Sequence, residues 1–112
     1  MAGAKNLAHY MDLLSARQKL VTSNLANADT PGYHTKDIDF QQEFMNALST
    51  NGPADPQTID TQGLLEKPDG NNVSVDREAR LLAENNIRFN LASTLIRGEI
   101  KSIRNAIHEG KA

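Results

Sequence analysis

The 112-residue chain contains no cysteine, so disulfides and thiolate zinc sites are excluded, while the redox compartment stays open. Aromatic residues are scarce, at 4%. Apolar residues reach 38%, against roughly 45–50% in average soluble domains on a count that includes glycine. So few large rings argue against a thick globular core and leave an extended helical element or a small bundle with an aliphatic core. No apolar run approaches the roughly 20 residues of a membrane-spanning helix, so direct membrane insertion is not expected. The N-terminus lacks a basic segment leading into a continuous apolar core, and no cleavable signal peptide is visible. A formal net charge of −2 gives no global attraction to nucleic acid or anionic lipid.

Reactive constellations are missing as well. His9, His34 and His108 fall in three separate segments with no partner at metal-ligand spacing. The serines sit in no nucleophile elbow, and there is no glycine-rich phosphate loop. Asp37 and Asp39 are not read as a catalytic pair, because Asp39 is accounted for as a helix cap. No catalytic, cofactor or metal site is assigned, and the sequence reads as that of a non-enzyme.

What is present is organised around Ser23-Asn24-Leu25-Ala26-Asn27-Ala28-Asp29-Thr30-Pro31-Gly32-Tyr33. Pro31 has no backbone N–H to donate and pushes Thr30 out of the α region. Pro-Gly at the centre of Thr30–Tyr33 fits a type II turn, with proline pre-setting φ and glycine accepting φ > 0. Asn24, Asn27 and Asp29 carry short side chains able to bond nearby backbone groups as a helix unwinds.

Before that stop, residues 5–28 have a helical period. Leu7, Met11, Leu14, Gln18, Val21, Leu25 and Ala28 alternate steps of four and three, a heptad seam with one polar interruption. Leu13 and Leu20 widen the stripe beyond a single contact line. Residues 29–75 form a looser middle. Asp39 is positioned as an N-cap with Gln42 completing a capping-box pattern, ahead of a short helix carrying Phe40, Phe44, Met45 and Leu48 and ended by Asn51-Gly52. The two phenylalanines are expected to anchor this section. Lys67-Pro68-Asp69-Gly70 reads as a turn, with Leu64–Glu66 and Val73–Val75 as extended pieces able to pair across it.

A second long helix is expected over residues 76–109, with Asp76 as N-cap, Glu78 in the first turn and Gly110 as the stop. It would be about 51 Å long at roughly 1.5 Å per residue. Leu82, Phe89, Ile96 and Ile103 recur every seven residues, and Ala79, Asn86, Ser93, Ile100 and Ile107 fill the alternate positions. Asn86 is a candidate for fixing register, and Gly98 for close approach of a neighbouring helix. Arg97, Lys101, Arg104 and His108 form a basic stripe near the end, read as a solvated face or as a docking surface for an acidic partner.

The fold class expected is mainly α: two long terminal helices packing as a coiled-coil hairpin around a loop-rich middle with a short helix and a small β-hairpin. A hairpin of this size buries little apolar surface against its ordering entropy, so ends that complete their folding on assembly are expected. Heterologous contacts that do not close would then build a helical tube. A cytoplasmic coiled-coil adaptor, dimerising through the same heptads, is the alternative.

The organising stretch also resembles the Asn-rich, Thr-Pro-Gly-Tyr signature of bacterial flagellar rod and hook proteins. Thr35-Lys36-Asp37-Ile38-Asp39-Phe40, Asn72-Val73-Ser74-Val75-Asp76-Arg77-Glu78 and Leu82-Ala83-Glu84-Asn85 are similar, in the same order, to the proximal members of the basal-body rod family. That resemblance implies a structural subunit of the periplasmic rod, exported unfolded through the flagellar type III apparatus. It further implies self-association and contacts with other rod subunits, the adaptor protein FliE and the export gate, with no cofactor. The signature positions are Asn24, Asn27, Thr30, Pro31, Gly32 and Tyr33, which the resemblance implies set the turn into the middle section. The expected assembly seam comprises Leu7, Met11, Leu14, Val21, Leu25, Leu82, Asn86, Phe89, Ile96, Ile100, Ile103 and Ile107.

Overall fold

The computed structural model describes residues 2–50 and 55–110. Helix α1 covers Ala2–Ala26, strand β1 Lys36–Ile38, helix α2 Phe40–Thr50, strand β2 Thr58–Asp60 and helix α3 Val75–Glu109. The two long helices run antiparallel. Asn24 bonds Glu78, the Leu14 carbonyl accepts from Asn85, Tyr10 accepts from Arg88, and Gly3 lies against the Glu99 carboxylate. The molecule is a rod of 70 × 26 × 17 Å.

The side of α3 that faces α1 buries Glu78, Asn85 and Ala92, seven residues apart. Two of these are polar, and each is satisfied across the helix pair. Asn85 donates to the Leu14 carbonyl at 2.8 Å and to the Gln18 side-chain oxygen at 3.1 Å. The apolar repeat flanks this line: Leu82, Ile96 and Ile103 are half-buried and Phe89 is 36% exposed. Asn86 is exposed, so within the chain the asparagine that crosses between helices is Asn85. On α1, Leu14 and Val21 are buried, while Leu7, Met11 and Leu25 are half-buried. Leu13 is buried on a second face towards α2, in keeping with a stripe wider than one seam. Among the described residues, nothing beyond the helix's own backbone lies within 4 Å of a Cβ placed on Gly98, so no close approach by another described element uses this glycine.

Asp39 caps α2: its carboxylate accepts from the Gln42 N–H at 3.2 Å. The Gln42 side chain turns forward to Asn46 rather than back, so only half of the capping box forms. Phe40 and Phe44 anchor the helix as expected, both meeting Tyr10 of α1 edge-on at centroid distances of 5.4 and 5.8 Å. Asn51-Gly52, the expected end of this helix, lies outside the described residues.

Three helix boundaries and one pairing differ from the sequence expectation. The N-cap of α3 is Ser74, not Asp76: Ser74 is extended at φ −97° and its hydroxyl accepts from the Arg77 N–H. Helix α1 begins at Ala2 and ends at Ala26, three residues earlier and two residues short of the expected span. The small sheet exists, but it pairs β1 with β2, in the register Lys36↔Asp60, Asp37↔Ile59 and Ile38↔Thr58. The Lys67–Gly70 turn does form, closed by Gly70 N–H to the Lys67 carbonyl and Lys67 N–H to the Asn71 carbonyl. It grows no strands, because Asn72 is committed to Tyr33 and Thr35, and Val75 is drawn into α3.

Residues of α3 beyond about Glu99 project past the start of α1, with Ile100 and Ile107 43% and 53% exposed. Amide exchange of the isolated chain is therefore expected to be steeply graded. Residues 100–109 should exchange roughly tenfold or more faster than residues 79–96, because only the latter are held by a packed neighbour. Uniform protection along α3 would contradict this.

Candidate functional site

The signature residues gather at the other end of the molecule, where α1 stops, β1 begins and α3 starts. Asn24 is 1% exposed and all its polar atoms are used. Its amide donates to the Glu78 carboxylate at 2.7 Å and to the Lys36 carbonyl at 2.8 Å. Its carbonyl accepts from Tyr33 Oη at 2.9 Å and the Lys36 N–H at 3.1 Å. One side chain thus joins the last turn of α1 to β1, to the signature turn and to α3.

The turn itself has the expected form. Gly32 has φ +74°, and the Tyr33 N–H donates to the Thr30 carbonyl at 3.2 Å. Asn27 receives the Thr30 hydroxyl and donates back to the Ser23 carbonyl. Pro31 is exposed and acts through its backbone.

A second turn locks onto the first. Asn71 is fully buried; its amide donates to the carbonyls of Asn27 and Thr30, both at 2.9 Å, and its carbonyl oxygen accepts from the Val73 N–H. Gly32 N–H donates to the Asp69 carbonyl, and Asn72 Oδ1 accepts from both the N–H and the hydroxyl of buried Thr35. Gly70, at φ +87°, lies so close that a Cβ there would stand 3.2 Å from the Gly32 Cα. Buried amides unable to reach water are satisfied one by one across the two turns.

Beside this lies a charged group. Asp37 is 6% exposed, receives Arg17 through two bonds at 3.1 and 3.0 Å, and receives Arg77 at 2.8 Å. Burial pushes its carboxyl up, but bonds from Arg17, the Ile38 N–H and Arg77 outweigh that and hold its pKa below the usual value. Glu78 is wholly buried. Burial raises its pKa, and the nearby Asp37 charge adds to the rise, against bonds from Asn24 and Arg77. Arg77, in the first turn of α3 where its N–H donates to the Ser74 cap, reaches both carboxylates.

The structure brings all six signature residues into one junction. It does not bring the seam residues to it, apart from Leu25 in the neighbouring turn. Sequence reasoning passed over Arg17 and Asn71, met Asp37 only as a dismissed carboxylate pair and, with Asn72 and Arg77, as part of the resembling segments, and gave Glu78 no role beyond that of a helix-dipole partner. The Asn71-Asn72 pair after Pro-Asp-Gly was the one local cue; the arginine partners of Asp37 lie 20 and 40 residues away. Among the described residues, no cluster of three or more His, Cys, Asp or Glu could hold a metal ion. The arrangement fixes geometry, and its charges are occupied with one another.

Comparison with known proteins bears on what that geometry serves. Residues 11–34 match the family described as flagella basal body rod protein. The flagellar basal body rod protein FlgB of Escherichia coli (strain K12) is 30% identical over 122 residues, covering 89% of this chain and 88% of the relative. The protein of the same description from Buchnera aphidicola subsp. Acyrthosiphon pisum is 31% identical, covering 83% and 84% respectively. That of Bacillus subtilis (strain 168) is 25% identical, covering 96% and 94%.

Two outcomes test the junction. Gly63 has φ +81° and open space around it, so Gly63→Ala meets only backbone strain, whereas Gly70→Ala also meets the Gly32 backbone. Gly70→Ala should be the more destabilising by about 1 kcal/mol or more in urea unfolding. The carboxylates should separate by pH. Asp37 stabilises above its unfolded pKa of about 3.9 and loses that contribution as pH falls through its lower folded pKa. Glu78 has the opposite sign: its contribution is greatest when protonated and declines as pH rises from about 4.3 through its raised folded pKa. Asp37→Asn should cost about 3 kcal/mol near neutrality, and Glu78→Gln should lie within about 1 kcal/mol of the parent. The unfolding midpoint against pH should lose its acid limb in the first variant and its decline above pH 4 in the second.

Proposed function

The chain belongs to the FlgB family of flagellar basal body rod proteins, and from that premise we propose that its polar junction sets the angle at which two long helices are offered to neighbouring subunits. It is a structural subunit of the flagellar basal body rod and associates with other rod subunits. The subunit sits at the proximal end of the rod, in the periplasm, after export through the flagellar type III apparatus. There it contacts the adaptor protein FliE and the export gate, transmits torque and lines part of the central channel.

The observation that carries this reading is the convergence of Asn24, Asn27, Thr30, Pro31, Gly32 and Tyr33 on a satisfied structural joint. A joint made of side chains bonded to backbone holds direction, which is what a load-bearing subunit requires. No catalytic role is proposed, since Asp37 and Glu78 are enclosed by Arg17, Arg77 and Asn24 and serve the joint. The seam residues of both helices are proposed to meet other subunits wherever the chain's own helices leave them uncovered, as at Ile100 and Ile107.

Expression in a flagellated bacterium lacking its own proximal rod subunit tests the function. The parent chain should restore swimming. Gly32→Val should stay soluble yet fail to restore it, because a β-branched residue at φ +74° displaces the joint although no atom lies within 4 Å of its Cβ. Full swimming with Gly32→Val would remove the joint from the mechanism.

A further inference from the structure

Two surfaces at different places on the molecule remain uncovered, and each has what the other lacks. A groove of about 470 Å³ opens between α1, α2 and the segment leading into β2. Its floor is aliphatic, from Leu13, Ala16, Leu20, Ile38 and Ala47. Asp12, Glu43 and Asp55 line it against one cation, Lys19. Glu43 accepts the Gln57 N–H, while Asp12 and Asp55 make no ion pair among the described residues. His9, which also lines the groove, is 8% exposed, and its Nδ1 has no hydrogen-bond partner among the described residues.

The second surface is the projecting end of α3. Half-buried Ile96, at the edge of the packed stretch, leads into Ile100, Ile103 and Ile107 at steps of four and three, so they share a face; Ile100 and Ile107 are exposed and Ile103 is half-buried. That face flanks the line that packs on α1 and runs on past the start of α1. One residue further on at each step come Arg97, Lys101, Arg104 and His108, all exposed and without an ion pair among the described residues. The result is an aliphatic ridge with a basic flank, the form that enters an apolar groove with an acidic rim.

We propose that the projecting end of α3 in one copy of this chain docks into the α1–α2 groove of a second copy. The isoleucine face meets the aliphatic floor, and the basic flank meets Asp12, Glu43 and Asp55. This rests on the rod reading, which requires self-association but does not say which surfaces meet. The same chain cannot make the contact internally, because its overhang points away past the start of α1. Ridge and groove are different patches, so the contact is heterologous: each copy gives a ridge to one neighbour and a groove to another, and the series does not close.

The absence of native cysteine makes the test direct. Full-length chains carrying Ala16→Cys with Ile100→Cys, Ile103→Cys or Ile107→Cys are oxidised at high protein concentration and separated without reductant. At least one pair should give a ladder of dimers, trimers and larger species. Mixtures of the matching single-cysteine chains should stop at dimers. In cysteine-free chains, changing Arg97, Lys101 and Arg104 to Glu should weaken self-association in sedimentation by roughly tenfold or more. Changing Asp12, Glu43 and Asp55 to Lys should do the same, and mixing the two reversed chains should restore pairing. No ladder from any of the three pairs with helical circular dichroism intact overturns the proposal. So does Ala16→Cys alone giving as much dimer as the pairs, which would mean a symmetric contact or another occupant. Swimming restored by the parent chain without any ladder removes this contact and leaves the rod function standing.

Discussion

The rest of the structure depends on the side chain of Asn24. A helix that stops inside a protein leaves its last carbonyls and the amides beyond it without partners, and burial makes each unmet group costly. Asn24 sits at that place with two donors and two acceptors, and all are used, on Lys36, Glu78 and Tyr33. The departure of the chain from α1, the start of β1 and the placement of α3 therefore share one constraint. Asn71 repeats the solution from the opposite side, holding Asn27 and Thr30. A larger apolar residue at either position would fill space but leave several backbone groups bare. This is why a chain with so few large rings can still hold a defined shape: direction comes from satisfied polar groups, and the aliphatic contacts only have to close the gap between two helices.

Much of this was legible where chemistry is local. Pro31-Gly32 announced its own turn, Asp39 its own cap, and Phe40 and Phe44 their own anchor, since each effect acts within a few residues. Helix α3 showed by its period, but the side buried against α1 did not. The buried line carries Glu78, Asn85 and Ala92, which an apolar pattern does not mark, while the marked line at Leu82, Phe89, Ile96 and Ile103 lies beside it. Polar groups at the interface are permitted because the facing helix offers the Leu14 carbonyl, Gln18 and Asn24, and no rule of spacing reveals that offer.

The pairing of β1 with β2 was hidden for a related reason. Thr58–Asp60 is only three residues long and exposed, with no alternation to betray it, and its partner is 22 residues away. The cue that misled, the Lys67–Gly70 turn, is real, yet its flanks are claimed by the signature turn before they can pair with each other. Likewise the role of Asp37 became visible only once Arg17 and Arg77 had been brought to it from two different helices.

The antiparallel arrangement of α1 and α3 places Gly3 beside Glu99 at one end and Asn24 beside Glu78 at the other. Force therefore meets the two ends of the rod differently. Pulling on either chain terminus loads the helix pair at its aliphatic end and peels it open one turn at a time, the way a zipper yields to a small effort. Twisting or pushing the folded subunit along its length instead loads every turn together, in shear, with the hydrogen-bonded junction as the fixed end. Tension on the chain ends and torsion along the rod thus load different contacts of the same molecule.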